Sequence, residues 1–310
     1  MLLKGIFKDT SAFVQLLVLG FMIAAGFVAT TVLSSILIAA KFGISPEVLQ
    51  EVMQNLGSYP DLMREIQLLQ VLVAFIFPAI ICARLFSDNY KNYLQVDAPV
   101  SFPVMGLAVL SILVAIPLMN LTSQVNQQLV LPEYLKGLEE WMKAAEKNTG
   151  EMLEKMLYVR SARDLMLNIL IICVLAGIGE EFIFRGVLQT IFGRMIRNPH
   201  VVIWIVAIIF SAIHLQFYGF VPRMLLGAYL GYLLYYTKNI WVPVLAHFTN
   251  NCFGVVCYSV FQDNPGQVET ADLIGTGSTL WLSVVSLVLF LFLFRKIQLR
   301  SKAAESVDEL

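Results

Sequence analysis

Residues 164–193 read DLMLNILIICVLAGIGEEFIFRGVLQTIFG. As a helix rising 1.5 Å per residue, these thirty residues reach about 45 Å, more than the ~30 Å of a bilayer's hydrocarbon core. Between Asp164 and Gly193 the only charged side chains are Glu180, Glu181 and Arg185. The other residues are overwhelmingly apolar and show no alternation of the kind a half-buried strand needs. The stretch therefore predicts a membrane helix with a polar knot inside it.

The rest of the chain agrees. Of 310 residues, 58% are hydrophobic and 14% charged, with mean hydropathy +0.75. Soluble domains hold roughly 45–50% apolar and about 25% charged residues, because their boundary with water must be covered by polar groups. A soluble enzyme, a disordered chain and a nucleic-acid binder are excluded together, the last also by a net charge of −1. Long unbroken apolar runs argue against a β-barrel. Cys82, Cys173, Cys252 and Cys257 all lie in apolar runs and suit packing, with no disulfide framework or zinc-type spacing.

Runs of about twenty apolar residues predict an all-α polytopic bundle of eight spans, near 11–40, 66–86, 102–121, 164–193, 200–217, 221–237, 240–260 and 279–294. The first run is too long for a signal-peptide core and is expected to remain as a span. The expected organisation is one integral membrane domain over 1–310. N-terminal spans fill 1–130, an external amphipathic loop 131–163, a core with the intramembrane charges 164–261, and the last span with a cytoplasmic tail 262–310.

Basic residues orient the spans. Eight spans place Lys4, Lys8, Arg84, Lys91, Arg194, Arg197, Lys238, Arg295, Lys296, Arg300 and Lys302 on one side. The other side has Lys41, Arg64 and Arg223 in or beside short loops, plus six basic residues in the long loop. The loop near 262–278 carries Asp263, Glu269 and Asp272 and no Lys or Arg. By the positive-inside rule both termini are expected in the cytoplasm, in the cell membrane. Ser45-Pro46-Glu47 is a helix start, and 133–160 alternates apolar with Glu and Lys; both are expected as amphipathic helices on the outer surface. A lid over a site is the alternative for them.

A charge in mid-membrane costs on the order of 2.5–3.5 kcal/mol, so such residues usually mark function. A structural salt bridge accounts for one Glu and one Arg and leaves a second carboxylate over. Glu181 and Arg185 are four apart and share a helix face, which suits an ion pair; Glu180 points about 100° away and is the freer carboxylate. Two of three histidines fall in later spans: His214, with Phe210 four residues before it, and His247, with Asn251 four after it. A lone membrane histidine is more often a packing residue, but two beside two glutamates and an asparagine make a candidate site. Glu180 and His214 each lie about 21 Å from the cytoplasmic ends of their spans, whereas His247 is only nine residues past Lys238. The three meet if the seventh span tilts or begins deeper. Gly227-x-x-x-Gly231 is a face for close helix packing.

At these residues the chain resembles the CPBP family: the CAAX proteases and bacteriocin-processing enzymes, also called ABI or type II CAAX prenyl endopeptidases. The motifs read Glu180-Glu181-x-x-x-Arg185, Phe210-x-x-x-His214 and His247-x-x-x-Asn251, in the family's order, over about 165–260. The resemblance implies an intramembrane endopeptidase acting within the lipid bilayer on a membrane-associated peptide or protein. It implies that Glu180 activates water with help from His214, that His247 and Asn251 stabilise the oxyanion, and that Glu181 and Arg185 orient the site. Zinc held by Glu180, His214 and His247 is one chemistry and metal-free glutamate–histidine hydrolysis the other; the sequence has no HExxH and leaves the choice open. The competing functions are a non-catalytic peptide binder, such as a bacteriocin-immunity protein, and a proton-coupled transporter.

Overall fold

The computed structural model describes residues 4–99, 101–264, 266 and 273–308, with side chains to Ser301. Its long elements are α1 (Ala12–Phe42), α2 (Pro46–Gln54), α3 (Pro60–Phe86), α4 (Phe102–Gln127), α5 (Lys136–Leu157), α6 (Ala162–Met195), α7 (Pro199–Ala212), α8 (Phe220–Thr237), α9 (Trp241–Phe261) and α10 (Leu280–Asp308). The protein is a helical membrane bundle. Six of these helices, α1, α3, α4, α6, α9 and α10, are long and apolar enough to cross a bilayer. The fifth and sixth expected spans are present as α7 and α8, but α7 has only 14 residues and ends at Ala212. The expected continuation to 217 is therefore corrected: Leu215 turns to φ +53° and 217–219 form a tight turn.

The contacts among the described loops fall into two groups. At one face Gly5 and Phe7 donate backbone N–H groups to Arg84 and Leu85 carbonyls, Lys8 pairs with Asp88 at 2.7 Å, and Arg194 reaches Thr10 O. Asn239 and Ile240 tie the α8–α9 turn to Ala98 and Gln95 there. At the opposite face Lys41 pairs with Glu65, and Gln262 donates to Val159 O. Arg64 is buried there among Asp61, Asp164, Asn168 and Tyr158 O. Arg185 is thus not the only enclosed cation; Arg64 differs in lying at helix ends, inside a network of compensating groups. Glu269 and Asp272 lie outside the described residues.

Three stretches widen into π-helical turns: Val71–Ile76 in α3, and Ile169–Leu175 and Phe182–Leu188 in α6. In each the closing N–H skips to the carbonyl five residues back, as Ala176 N does to Ile171 O. Such turns re-phase a helix and release a carbonyl, and they concentrate at functional sites. Those in α6 bracket Ala176–Glu181, the segment bearing both glutamates.

The Gly227/Gly231 face packs as the spacing predicts. A Cβ on Gly231 would stand 2.9 Å from Ile203 Cγ2, and one on Gly227 would stand 3.0 Å from Phe210 Cδ1. The bare backbone gives up two carbonyls to α6: Arg185 Nη2 donates to Gly227 O at 3.0 Å and Gln189 Nε2 to Gly231 O at 3.3 Å. Two partners four residues apart on both helices mean that α6 and α8 run parallel.

Candidate functional site

Glu181, on the last α-helical position before the second π turn of α6, is completely buried. Its Oε1 accepts from Arg185 Nη1 and from His247 Nδ1, each at 2.7 Å. Arg185 is equally buried, and its guanidinium carbon stands 4.6 Å from the centre of the Phe210 ring. A full positive and a full negative charge, removed from solvent, are thus neutralised in direct contact. The i, i+4 spacing made the Arg185 partner legible; the His247 hydrogen bond, across 66 residues of chain, was not.

His247 reaches this depth because α9 begins inside the bundle. Asn239 and Ile240, just before it, are buried and bonded to the 95–98 loop, so nine residues past Lys238 lead to the level of Glu181. Glu181 fixes the ring. With Nδ1–H donated to a carboxylate, Nε2 faces Glu180, whose Oε2 lies 3.7 Å away. Asn251, one turn on, donates Nδ2 to Ile172 O at 3.0 Å, a carbonyl within the first π turn of α6, and accepts from Asn250. The pairs 172/251 and 181/247 set α9 antiparallel to α6.

His214 is not inside a span. It sits two residues past α7, where its Nδ1 meets Phe210 O at 2.7 Å. A carbonyl can only accept, so Nδ1 carries the proton and the neutral ring keeps its Nε2 lone pair for another partner. Phe210 is wedged among Arg185, His214 and His247, with ring centres 5.0 Å from His214 and 5.9 Å from His247. The FxxxH spacing thus supplies both a carbonyl and an aromatic wall.

Glu180, by contrast, keeps 20% of its side chain accessible and opens on a cavity of about 890 Å³, together with His214, Gln216 and Asn251. Most of the remaining wall is apolar, from Leu19 and Phe27 of α1 to Ile183 and Phe184 of α6, with Gln67 and Gln70 of α3 among it. Such a volume is ample for a peptide segment. Thr149, Leu153 and Met156 of α5 also line it. Trp141 packs against Phe217 with tilted rings 5.5 Å apart between centres, and Glu146 accepts from Tyr218 N. The amphipathic α5 therefore covers the cavity, the alternative that the sequence held open for it. Its alternation of apolar and charged residues is shared by roofs and interfacial helices, so sequence could not choose. Gln216 and the three α5 residues carried no motif signal.

Among the described residues no group of three His, Cys, Asp or Glu side chains is arranged to hold a metal ion. The two Nδ1 atoms are anchored as a metal site's outer partners anchor histidines, but the donors as placed do not form a ligand set for zinc.

Residues 162–253 match the family described as type II CAAX prenyl endopeptidase Rce1-like. That segment contains all six motif residues, from Glu180 to Asn251, as the CPBP resemblance expects. The chain is 32% identical over 85 residues to a Bacillus subtilis (strain 168) protein named uncharacterized protein YpbD. The match covers 26% of this chain and 40% of that protein's length. No solved structure matches.

Proposed function

We propose that the protein is an intramembrane endopeptidase that hydrolyses a peptide bond of a membrane-associated peptide or protein by glutamate-activated water. The observation that carries the reading is the division between the two carboxylates: Glu181 is enclosed, with Oε1 held by Arg185 and His247, whereas Glu180 opens on the cavity with only His247 Nε2 near it, at 3.7 Å. The matching family segment supports membrane endopeptidase chemistry in general terms.

In this mechanism Glu180 takes a proton from a water that the Nε2 lone pair of His214 helps to hold. The hydroxide oxygen adds to the scissile carbonyl carbon, and the new oxyanion faces Asn251's second amide hydrogen and His247 Nε2. His247 donates there when protonated at Nε2, a state held in orientation by Glu181. The proton on Glu180 then passes to the leaving amine as the carbon–nitrogen bond breaks. Glu181 and Arg185 act by holding His247, and α5 screens the site from bulk water.

The test is cleavage of a membrane-peptide library by purified protein beside Glu180→Gln. Turnover that collapses in a variant with unchanged melting temperature supports the proposal. A Glu180→Gln protein that still cuts, or a wild type that binds peptides and releases them whole, refutes it; the second result is that of a peptide-binding immunity protein.

A further inference from the structure

We propose that the face bearing the Lys/Arg-rich loops holds a second site, distinct from the Glu180 cavity, that binds a phosphate-type anion. A separate cavity of about 200 Å³ opens where α6 and α8 end and α7 begins. Arg185, Arg197 and Lys238 line it with Gln95 and Gln189, and no Asp or Glu among the described residues does. Arg197 and Lys238 have no carboxylate partner here and offer an anion two uncompensated charges at the mouth of the cavity, above an Arg185 already paired with Glu181. The N-terminus of the 14-residue α7, at Pro199, adds positive potential to the same space.

The two outer cations are unspent, and the inner one keeps a single free donor. Arg197 has no hydrogen bond or ion pair among the described residues, and Lys238 meets only the ring of Tyr235, 4.7 Å away. Arg185 lines the cavity from within, fully buried, and its Nε–H has no acceptor. By helix rise it stands about 12 Å deeper than Gly193 at the other end of the lining. Buried donors without acceptors are rare in native structures and call for a ligand or water. The cavity has room for about seven waters at ~30 Å³ each, or for one phosphate group with a few.

Two buried acceptors narrow the ligand further. Gln95 Oε1 and Gln189 Oε1 both lack a donor. An anion carrying an O–H, such as hydrogen phosphate or a hydroxylated phospholipid headgroup, satisfies cations and acceptors together; chloride satisfies only the cations. Lipid and free phosphate present the same group, and the experiment separates them.

Purified full-length protein in neutral detergent is titrated with phosphatidylglycerol, with phosphatidylcholine, and with sodium phosphate against sodium chloride at equal ionic strength. Bound lipid is counted by native mass spectrometry and stability is read as melting temperature. The comparison is Arg197→Gln/Lys238→Gln against Arg295→Gln/Lys296→Gln, which removes two charges elsewhere on the basic side. Phosphatidylglycerol is expected to bind in preference to phosphatidylcholine. The first variant should weaken it about thirtyfold, the equivalent of roughly 1 kcal/mol per cation, and the second should leave it unchanged. Stabilisation by sodium phosphate alone, lost in the first variant, identifies free phosphate as the ligand. Equal weakening by both variants, or no preference for either phosphate probe over its control, overturns the site. None of these readouts depends on peptide cleavage.

Discussion

Replacing Glu181 by glutamine keeps volume and leaves one oxygen to accept a hydrogen bond, but removes the charge that balances Arg185. The pair is fully enclosed, with Nη1 and Oε1 2.7 Å apart, so solvent cannot take over the compensation. Leaving a buried charge unpaired costs about 3–5 kcal/mol. At roughly 2–3 °C per kcal/mol for a chain of this size, the melting temperature should fall by about 6–15 °C. Adding Arg185→Gln removes the stranded charge and should restore part of the loss. The restoration is incomplete because Arg185 also donates to Gly227 O and lies 4.6 Å over Phe210, contacts worth about 1–3 and 0.5–2 kcal/mol respectively. A recovery of about 1–2 kcal/mol, roughly 2–6 °C, is the expected outcome. Glu180→Gln, at the cavity wall, should shift the melting temperature by no more than about 1 °C. Melting curves of the three variants and wild type in one detergent decide the matter. A double variant no more stable than Glu181→Gln, or a Glu180→Gln loss equal to the Glu181→Gln loss, refutes the assignment of roles.

Two further outcomes follow from the same geometry. Reporter fusions after Arg300 and within 262–278 should fall on the cytoplasmic and external sides respectively, since the basic loops gather at one face of the bundle; both on one side would break the alternation of eight helices. Complete metal removal by a strong chelator should leave peptide cleavage intact, because no ligand set is assembled around Glu180, His214 and His247; loss of activity restored by added zinc would reinstate the metal chemistry.

Much of this protein is legible in its residues. Helix class, and the positions of the six long apolar helices, follow from hydrocarbon-length runs, because a backbone in lipid can satisfy its own hydrogen bonds only as a helix or a closed barrel. The alternation of loops follows from where Lys and Arg lie. The Glu181–Arg185 pair follows from a spacing of four, and the close approach of α8 from Gly227 and Gly231. All of these are local: each is decided within a few turns of one chain segment or by composition.

The remaining features depend on segments far apart in the chain. His247 meets Glu181 because the 95–98 loop holds Asn239 and Ile240 inside the bundle and lowers the start of α9. His214 faces the cavity from a turn, since α7 stops at Ala212 and Phe210 O captures its ring. The π turns of α6 have no residue signature; they arise where one helix must answer partners on several neighbours, and Ile172 O becomes available to Asn251 only there. That α5 covers the cavity is decided by Trp141 against Phe217 and Glu146 against Tyr218. Periodicity fixes which face of a helix is apolar, and only packing decides what that face covers.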